Sequence, residues 1–204
     1  MTTQAKNPNR VNVFIDDEFA CGLALEVALE LRVGQVITRN DLEQLDKRDD
    51  VHRARERVLR LLARRPYSSA EIARYLQRHK IDGEIVQIVI EDLSEARLID
   101  DEAFAAYWVE QRRAFRPRSR LALRQELGQK GIRQDIVNDA LTMLDETAAA
   151  RKIAQKQARR WDGLPEAEWR TRLTRYLMRH GYPYDVVVEV VAETWLALHT
   201  DEEE

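Results

Sequence analysis

Clusters of arginine are the feature of this sequence whose residue type and spacing could support chemistry. Arg57, Arg60 and Arg64 lie at i, i+3 and i+7 beside an apolar stripe. Two further basic clusters follow along the chain. They comprise Arg112, Arg113, Arg116, Arg118, Arg120, Arg124 and Lys130 in one region, and Lys152, Lys156 and Arg159 in the next. A guanidinium binds carboxylate or phosphate through two parallel hydrogen bonds, so these clusters predict a surface that binds an acidic protein or a nucleic acid.

The charges alternate along a nearly neutral chain. The net charge is −3, yet residues 51–65 carry six arginines and one glutamate, whereas residues 82–103 carry eight acidic residues and one arginine. Residues 104–133 and 148–180 are again basic, and residues 134–147 and 181–204 are again acidic. In a folded array this segregation would build a basic face and an acidic face. The alternative is pairing between helices and ordinary solvation, and we expect about half of the basic side chains to reach a partner.

The sequence contains no catalytic or metal-binding pattern. The histidines at positions 52, 79, 180 and 199 form no cluster with cysteine or carboxylates at metal-ligand spacing. The 7 glycines are scattered, so there is no glycine-rich loop for the phosphates of a nucleotide. The sequence therefore predicts a protein that is not an enzyme and that needs no cofactor or metal.

The elements that must position these clusters are repeated. Leu76, Leu127 and Leu177 occupy equivalent positions, 51 and then 50 residues apart, within blocks of apolar residues at i, i+4 spacing. Each block predicts two helices joined by a tight turn. Gly131 and Gly181 follow the first of these helices, where glycine adopts the left-handed conformation that closes a helix end. The first block has Lys80 there, so its turn should be the most strained.

A further helix precedes each pair, which gives three-helix units. Pro66 and Pro117, also 51 residues apart, break the chain between the first and second helices. Ser68 and Glu71 form the pattern of a capping box that starts the second helix. We therefore predict a mainly α fold of three tandem three-helix repeats in an elongated curved array, each unit covering its neighbour's apolar face. The predicted repeats are residues 51–100, 101–147 and 148–199, followed by an acidic tail at 200–204.

The first 50 residues have a different pattern. Alternating residues from Val11 to Asp16 and from Phe19 to Leu23 predict a β-hairpin, followed by a helix from roughly Gly22 to Leu31 and another after a Thr38 cap. The sequence shows no run long enough to cross a membrane and no signal peptide, and its single cysteine excludes an internal disulfide. A cytoplasmic protein is expected.

Four segments resemble a known family. LIDDEAFAAYWVEQRR (98–113), followed by RLALRQELGQKGI (120–132), resembles the RecX family of regulators of the RecA recombinase. LRLLARRPYSSAEIARYL (59–76) is similar to the opening of that family's first repeat, and RVNVFIDDEFACGL (10–23) to the N-terminal extension of its longer members. Ser119 and Asp17 depart from the family, whose members usually have glycine at these two turns.

The resemblance implies a function that the residue patterns alone do not reach. It implies a non-enzymatic, monomeric protein that lies in the helical groove of the RecA filament on single-stranded DNA. There it would bridge successive RecA subunits and restrain ATP hydrolysis, strand exchange and filament growth. The resemblance leaves open whether the protein also binds single-stranded DNA directly.

Two other functions remain as alternatives. Three-helix units of this size also resemble helix-turn-helix modules, which would make the protein a sequence-specific DNA-binding regulator. The candidate recognition helix, 119–130, is however crowded with apolar residues. A single-strand-binding role would need exposed aromatic rings, whereas Trp108 and Trp195 lie on apolar stripes and are predicted to be core residues.

Overall fold

The computed structural model describes residues 1–4 and 7–199, and the described chain is mainly helical. It divides into two compact units, Met1–Asp100 and Asp101–Glu204. The first unit contains the strands β1 (Thr2–Gln4), β2 (Asn7–Ile15) and β3 (Glu18–Ala24) and the helices α1 (Leu25–Ala28), α2 (Arg39–Leu62), α3 (Ser69–Arg78) and α4 (Gly83–Glu95). The second contains α5 (Asp101–Phe115), α6 (Arg120–Gln129), α7 (Gln134–Thr142), α8 (Glu146–Ala158), α9 (Glu166–Arg179) and α10 (Tyr184–His199). The predicted acidic tail, 200–204, lies outside the described residues.

The predicted β-hairpin is confirmed, and it belongs to a larger sheet. Strands β2 and β3 pair antiparallel through a two-residue turn at Asp16 and Asp17, both with positive φ (50° and 66°). Aspartate tolerates this left-handed conformation better than most residues, so Asp17 can replace glycine there. Strand β1 adds to the other edge of β2, in the order β1-β2-β3. This third strand was not predicted.

The sheet packs on helix α2 and is fixed to it by one buried carboxylate. Asp49, which is 2% exposed, accepts hydrogen bonds from the Arg10 guanidinium (2.9 and 3.2 Å) and from the backbone N–H of Ala24 (2.6 Å). The helix predicted from Gly22 to Leu31 is wrong in extent, because β3 continues through Ala24 and α1 covers only four residues. A strand paired along its length outcompetes the weak helical preference of a short segment.

Helix α2 begins at the predicted Thr38 cap and runs through position 50 into the first repeat. Thr38 and Asp41 form a capping box, and the hydrogen bonds that Asp41 accepts from Thr38 lower the pKa of its carboxyl. The second half of α2 packs with α3 and α4 around a core that includes Val58, Ile72 and Leu76. Ser68 and Glu71 form the predicted capping box at the start of α3.

The three repeats end their middle helix with the same turn. The three equivalent leucines, five residues earlier, accept the backbone N–H groups that close these turns. The bonds are Ile81 to Leu76 (3.2 Å), Ile132 to Leu127 (3.1 Å) and Tyr182 to Leu177 (3.3 Å). The residue before each has positive φ: 58° at Lys80, 80° at Gly131 and 80° at Gly181. This is the Schellman arrangement, so the predicted left-handed caps are confirmed. Lys80 alone carries a side chain in that conformation.

Each repeat encloses an apolar core of its own. The second repeat buries Phe104, Leu123 and Leu141 in one cluster, and the third buries Trp169 and Leu177 in another. The expectation that each unit covers its neighbour's apolar face is not tested by these clusters and stays a prediction. The curved array itself stays a prediction. None of the described helices is long and apolar enough to cross a bilayer.

Polar groups join the second and third repeats. The hydroxyl of Ser119, which is fully buried, caps α6 by accepting from the N–H of Ala122 (3.2 Å) and donates to the carbonyl of His180 (2.9 Å). At the same junction Glu146 accepts a hydrogen bond from the backbone N–H of Arg120 (2.8 Å). Serine at position 119 thus caps one helix and binds the turn of the next repeat, two roles that glycine could not fill.

Candidate functional site

The arginines of the first repeat are exposed. Arg57 and Arg60 lie on α2 and border a cavity of about 420 Å³ between that helix and the sheet. Arg64 lies in the turn after Leu62, so the expected spacing on one helix face holds only for the first two residues. Arg60 pairs with Glu56 at 3.1 Å, and Glu26 also borders the cavity. The surface is therefore basic but mixed in charge.

Two arginines of the second repeat are held by one carboxylate. Glu126 accepts from the indole N–H of Trp108 (2.8 Å) and from Nε of Arg112 (2.7 Å), and its other oxygen lies 3.4 Å from Nε of Arg118. Arg112 and Lys130 both lie over the Trp108 ring, at 4.6 and 4.7 Å from its centroid. These cations stabilise the contact between α5 and α6. Fewer of their hydrogen-bond donors therefore remain for a partner than their number suggests.

Among the predicted site residues, Arg120 is the one most engaged in contacts within the protein. Its guanidinium donates to the carbonyls of Leu141 and Leu144 at the end of α7, the second at 3.0 Å. Its Nε also lies 3.7 Å from Glu146. The Leu141 carbonyl also accepts the backbone N–H of Leu144 (3.1 Å), and a cation at a helix C-terminus is stabilised by the helix dipole. Arg120 therefore holds the fold together.

Other predicted residues of this repeat stay at the surface. Arg113 pairs with Glu110 at 2.7 Å, and that hydrogen bond raises the pKa of the arginine and lowers the pKa of the glutamate. Arg124 makes a long contact to Asn138 (3.4 Å). Arg116 is exposed in the turn after α5 and has no side-chain partner among residues 1–4 and 7–199. It is the predicted site residue of this repeat that is most available.

A groove in the second unit brings predicted residues from two repeats together. It has a volume of about 430 Å³ and lies between the end of α5, helix α8 and the end of α9. Its basic lining residues are Arg116, Arg118, Lys152, Lys156 and Arg160, and its aromatic ones are Phe115, Tyr176 and His180. None of the described carboxylates lines it. The electrostatic field in a concave site of one sign is concentrated, which favours an anionic ligand.

The cations of this groove differ in their availability. Lys152 donates to the carbonyls of Arg113 (3.3 Å) and Ala114 (3.0 Å) and so caps α5. Lys156 and Arg160 are exposed and make no side-chain contact within the described part of the chain. Arg159, which was predicted, is exposed at the end of α8 but does not line the groove.

The sequence predictions missed Arg160 and the aromatic residues of the groove. Lys152, Lys156 and Arg160 recur at i, i+4 and i+8, a helical spacing that could have identified Arg160. Phe115, a residue type that is usually buried, is 76% exposed. The prediction that the tryptophans belong to the core is confirmed: Trp169 is buried, and Trp108, Trp161 and Trp195 pack against the cores of their repeats.

The histidines of the repeats have structural positions. His79, His180 and His199 each place Nδ1 2.7–2.9 Å from the carbonyl four residues earlier, at the end of a helix. Within the described residues, no group of three or more histidine, cysteine, aspartate or glutamate side chains is placed to hold a metal ion. The arrangement as a whole suits binding of an acidic partner.

Comparison with protein families covers nearly the whole chain. Four domain families match: the regulatory protein RecX N-terminal domain at residues 1–38, and the first, second and third three-helix domains of RecX at 54–93, 100–141 and 145–191. The matched boundaries follow the three-helix units seen in the structure.

Individual proteins agree with the family comparison. A regulatory protein RecX from Thermobifida fusca is 35% identical over 69% of this chain and 78% of its own. One from Bacillus licheniformis is 27% identical over 95% and 76% of the two chains. A crystal structure of a regulatory protein RecX superposes with a TM-score of 0.79 at 26% identity, covering 93% of this chain and 95% of the other. This protein belongs to the RecX family of regulatory proteins.

Proposed function

We propose that this protein regulates homologous recombination and DNA repair by binding the RecA recombinase, as a free protein or as its filament on single-stranded DNA. In binding, it restrains ATP hydrolysis, strand exchange and filament growth. The observation that carries the proposal is membership of the RecX family across all four of its domains. The protein acts by contact and performs no chemistry of its own.

The exposed cations support this proposal physically. Arg57, Arg64 and Arg116 are exposed and without a side-chain partner in the described residues, and Arg113 is paired only at the surface. Such cations come from successive repeats, so the same kind of contact recurs along the chain. A filament of identical subunits also presents the same surface at regular intervals, and charge complementarity between two partners guides association and fixes register.

ATP turnover tests the proposal. RecA would hydrolyse ATP on single-stranded DNA while this protein is added in increasing amounts, and filament-bound protein would be measured by co-sedimentation. We expect ATP turnover to fall as the protein is added. If the protein blocks filament growth, turnover should fall even when fewer than one copy is present per RecA subunit. Unchanged turnover together with no co-sedimentation would exclude the proposal.

Charge reversal tests the surface. The variant Arg57→Glu with Arg64→Glu should melt like the wild type, since exposed charges contribute little to folding. Its affinity for the filament should fall strongly, because like charges across an interface cost several kcal/mol. Arg74→Glu, at another exposed position of the first repeat outside the predicted surface, is the control. Equal affinities for all three proteins would move the interface away from the first repeat.

The alternative, a helix-turn-helix regulator of duplex DNA, has little support at α6. Leu123 and Leu127 are buried, Arg120 is occupied by internal carbonyls, and Leu121 is half exposed where a base-reading residue would be needed. A titration with random duplex at several salt concentrations compares the two functions directly.

A further inference from the structure

Helix α10 exposes a row of apolar side chains outside the core of its repeat. Tyr184, Val188 and Leu196 are 67%, 48% and 63% exposed, and the half-buried Ala192 lies between the last two. Residues four apart lie on the same face of a helix, so these four side chains form one row, about 18 Å long. The buried side of α10, which includes Val187, packs into the core of the third repeat, so the row is not part of that core.

The equivalent helices of the first and second repeats are polar along this row. Equivalent positions lie 101 and 50 residues earlier, the offsets that relate Leu177 to Leu76 and Leu127. The equivalent residues, all of them exposed, are Gln87, Glu91 and Glu95 in α4 and Gln134, Asn138 and Thr142 in α7. The repeat architecture therefore does not require apolar side chains here, and a contiguous exposed apolar row indicates a surface for a partner.

Carboxylates border one edge of the row. Asp185 and Glu189 are exposed, and each follows a member of the row by one residue. Glu193 continues the same edge and pairs with Arg151 at 2.7 Å, so the negative charge of the edge is concentrated at the other two carboxylates. A partner with complementary charge would place basic side chains along this edge.

The row has the geometry of a surface for a helix. Side chains at i and i+4 form the ridges that interdigitate when two helices pack, and the small Ala192 leaves room for a large side chain of the partner. An extended peptide is instead bound through backbone hydrogen bonds at the edge of a sheet. The backbone N–H and C=O groups within α10 are used by the helix itself, so α10 offers an extended peptide no such bonds.

A second copy of this chain fits the row less well than a basic helix does. In a symmetric pairing the same residues face each other, and the row of α10 is centred close to Glu189. Antiparallel packing of two copies would therefore bring the two acidic edges together, and like charges across an interface oppose association.

We propose that the exposed row of α10 is a docking surface for an amphipathic α-helix of another protein, one whose apolar face is bordered by arginine or lysine. The apolar face of that helix covers Tyr184, Val188 and Leu196, and its basic edge lies along Asp185 and Glu189. The inference goes beyond the proposed function, in which arginines of the first and second repeats bind an acidic surface, because α10 selects a basic partner.

Fluorescence anisotropy of a labelled synthetic helix with the full chain tests the inference. The probe is a peptide of leucine and arginine, about four turns long, with the leucines on one face and the arginines along its edge. Val188→Gln with Leu196→Gln should weaken binding roughly ten-fold or more, because two aliphatic side chains no longer contribute buried apolar area. Leu29→Gln with Val36→Gln is the matched control, since these residues are 75% and 89% exposed in the first unit, and it should bind like the wild type.

The variant should keep its helix, because α4 already has glutamine at the position equivalent to Val188. Circular dichroism checks this directly. A charge variant provides a second measurement: Glu189→Lys should slow association with the peptide and make its affinity less dependent on salt. Glu95→Lys, which makes the same change of net charge at an exposed position of α4, should do neither.

Three results would overturn the inference. One is equal affinity of the peptide for the wild type and for Val188→Gln with Leu196→Gln. Another is equal binding of a scrambled peptide of the same composition, since charge alone would then explain the binding. The third is a wild-type protein that self-associates in sedimentation equilibrium while the double glutamine variant is monomeric, because a second copy would then cover the row. RecA is absent from all of these assays, so their outcome is independent of the ATP turnover test.

Discussion

Substituting Gly181 by alanine tests how the second and third repeats are joined. Gly181 has a φ of 80°, and a Cβ added there would lie 2.8 Å from Oγ of Ser119. Gly163 has nearly the same φ, 82°, and a Cβ there would meet nothing within 4 Å. Gly163→Ala therefore isolates the backbone cost, and the pair of variants isolates the contact with Ser119.

The magnitudes follow from the hydrogen bonds of Ser119. A left-handed non-glycine residue costs about 1–2 kcal/mol, and this cost applies to both variants. To avoid the new methyl group, Ser119 must release its bond to the His180 carbonyl, its capping bond to Ala122, or both, at about 1 kcal/mol each. We expect Gly181→Ala to destabilise the protein by roughly 2–4 kcal/mol and Gly163→Ala by about half as much.

Urea unfolding followed by circular dichroism measures both values, and a double-mutant cycle checks their origin. In a Ser119→Gly background the obstructing hydroxyl is gone, while glycine at the cap costs only a few tenths of a kcal/mol for the helix. The cost of Gly181→Ala should then fall to that of Gly163→Ala. Equal costs for the two alanine variants in the wild-type background would refute the assigned contact between the repeats.

Three further outcomes follow from the same geometry. Lys80→Gly should stabilise the first repeat by roughly 0.5–1 kcal/mol, because it removes a lysine from the left-handed conformation. Gly131→Val should destabilise the second repeat by about 1–2 kcal/mol. Thermal melts that rank the two variants in the opposite order would contradict the turn assignment. Arg113→Glu should leave the melt nearly unchanged, whereas Arg120→Glu should cost roughly 2–4 kcal/mol because the carbonyls of Leu141 and Leu144 lose a charged donor. Equal melting temperatures for the two variants would be inconsistent with the capping role of Arg120. Burial raises the pKa of the Cys21 thiol, so the thiol deprotonates more readily in the unfolded chain than in the folded one. The folded state therefore loses stability as the pH rises past the unfolded thiol's pKa near 8.5. Cys21→Ser should lack this loss in urea titrations at several pH values.

Local chemistry made much of the fold predictable. The turn at Gly131 depends on a glycine and an apolar residue close together in the sequence, and so does the one at Gly181. The capping boxes at Thr38 and Ser68 are equally local. The missed strand, Thr2–Gln4, depends instead on pairing with β2, and three residues carry too little pattern to indicate it. The same pairing explains why β3 continues where a helix was predicted.

The candidate site was less predictable, because the partners of its arginines come from distant helices. Arg116 and Arg120 are four residues apart and chemically identical. Arg116 nevertheless has no side-chain partner in the part of the chain that the structure describes, whereas Arg120 donates to the carbonyls of Leu141 and Leu144. Nothing in their spacing distinguishes them. The charge pattern therefore could not tell a structural cation from an available one, and the predicted binding surface stays a prediction.

Helix α8 shows what the structure adds to such a pattern. Lys152, Lys156 and Arg160 follow one another at helical spacing, so sequence reasoning would give them one role. Lys152 donates hydrogen bonds to the carbonyls at the end of α5, because α5 ends beside α8. Lys156 lies one turn further along α8, and Arg160 lies in the short 3-10 turn that follows this helix. Both line a groove to which the described residues contribute no carboxylate. Among the described residues, the position of the end of α5 therefore separates the structural cation, Lys152, from Lys156 and Arg160, which keep their donors available.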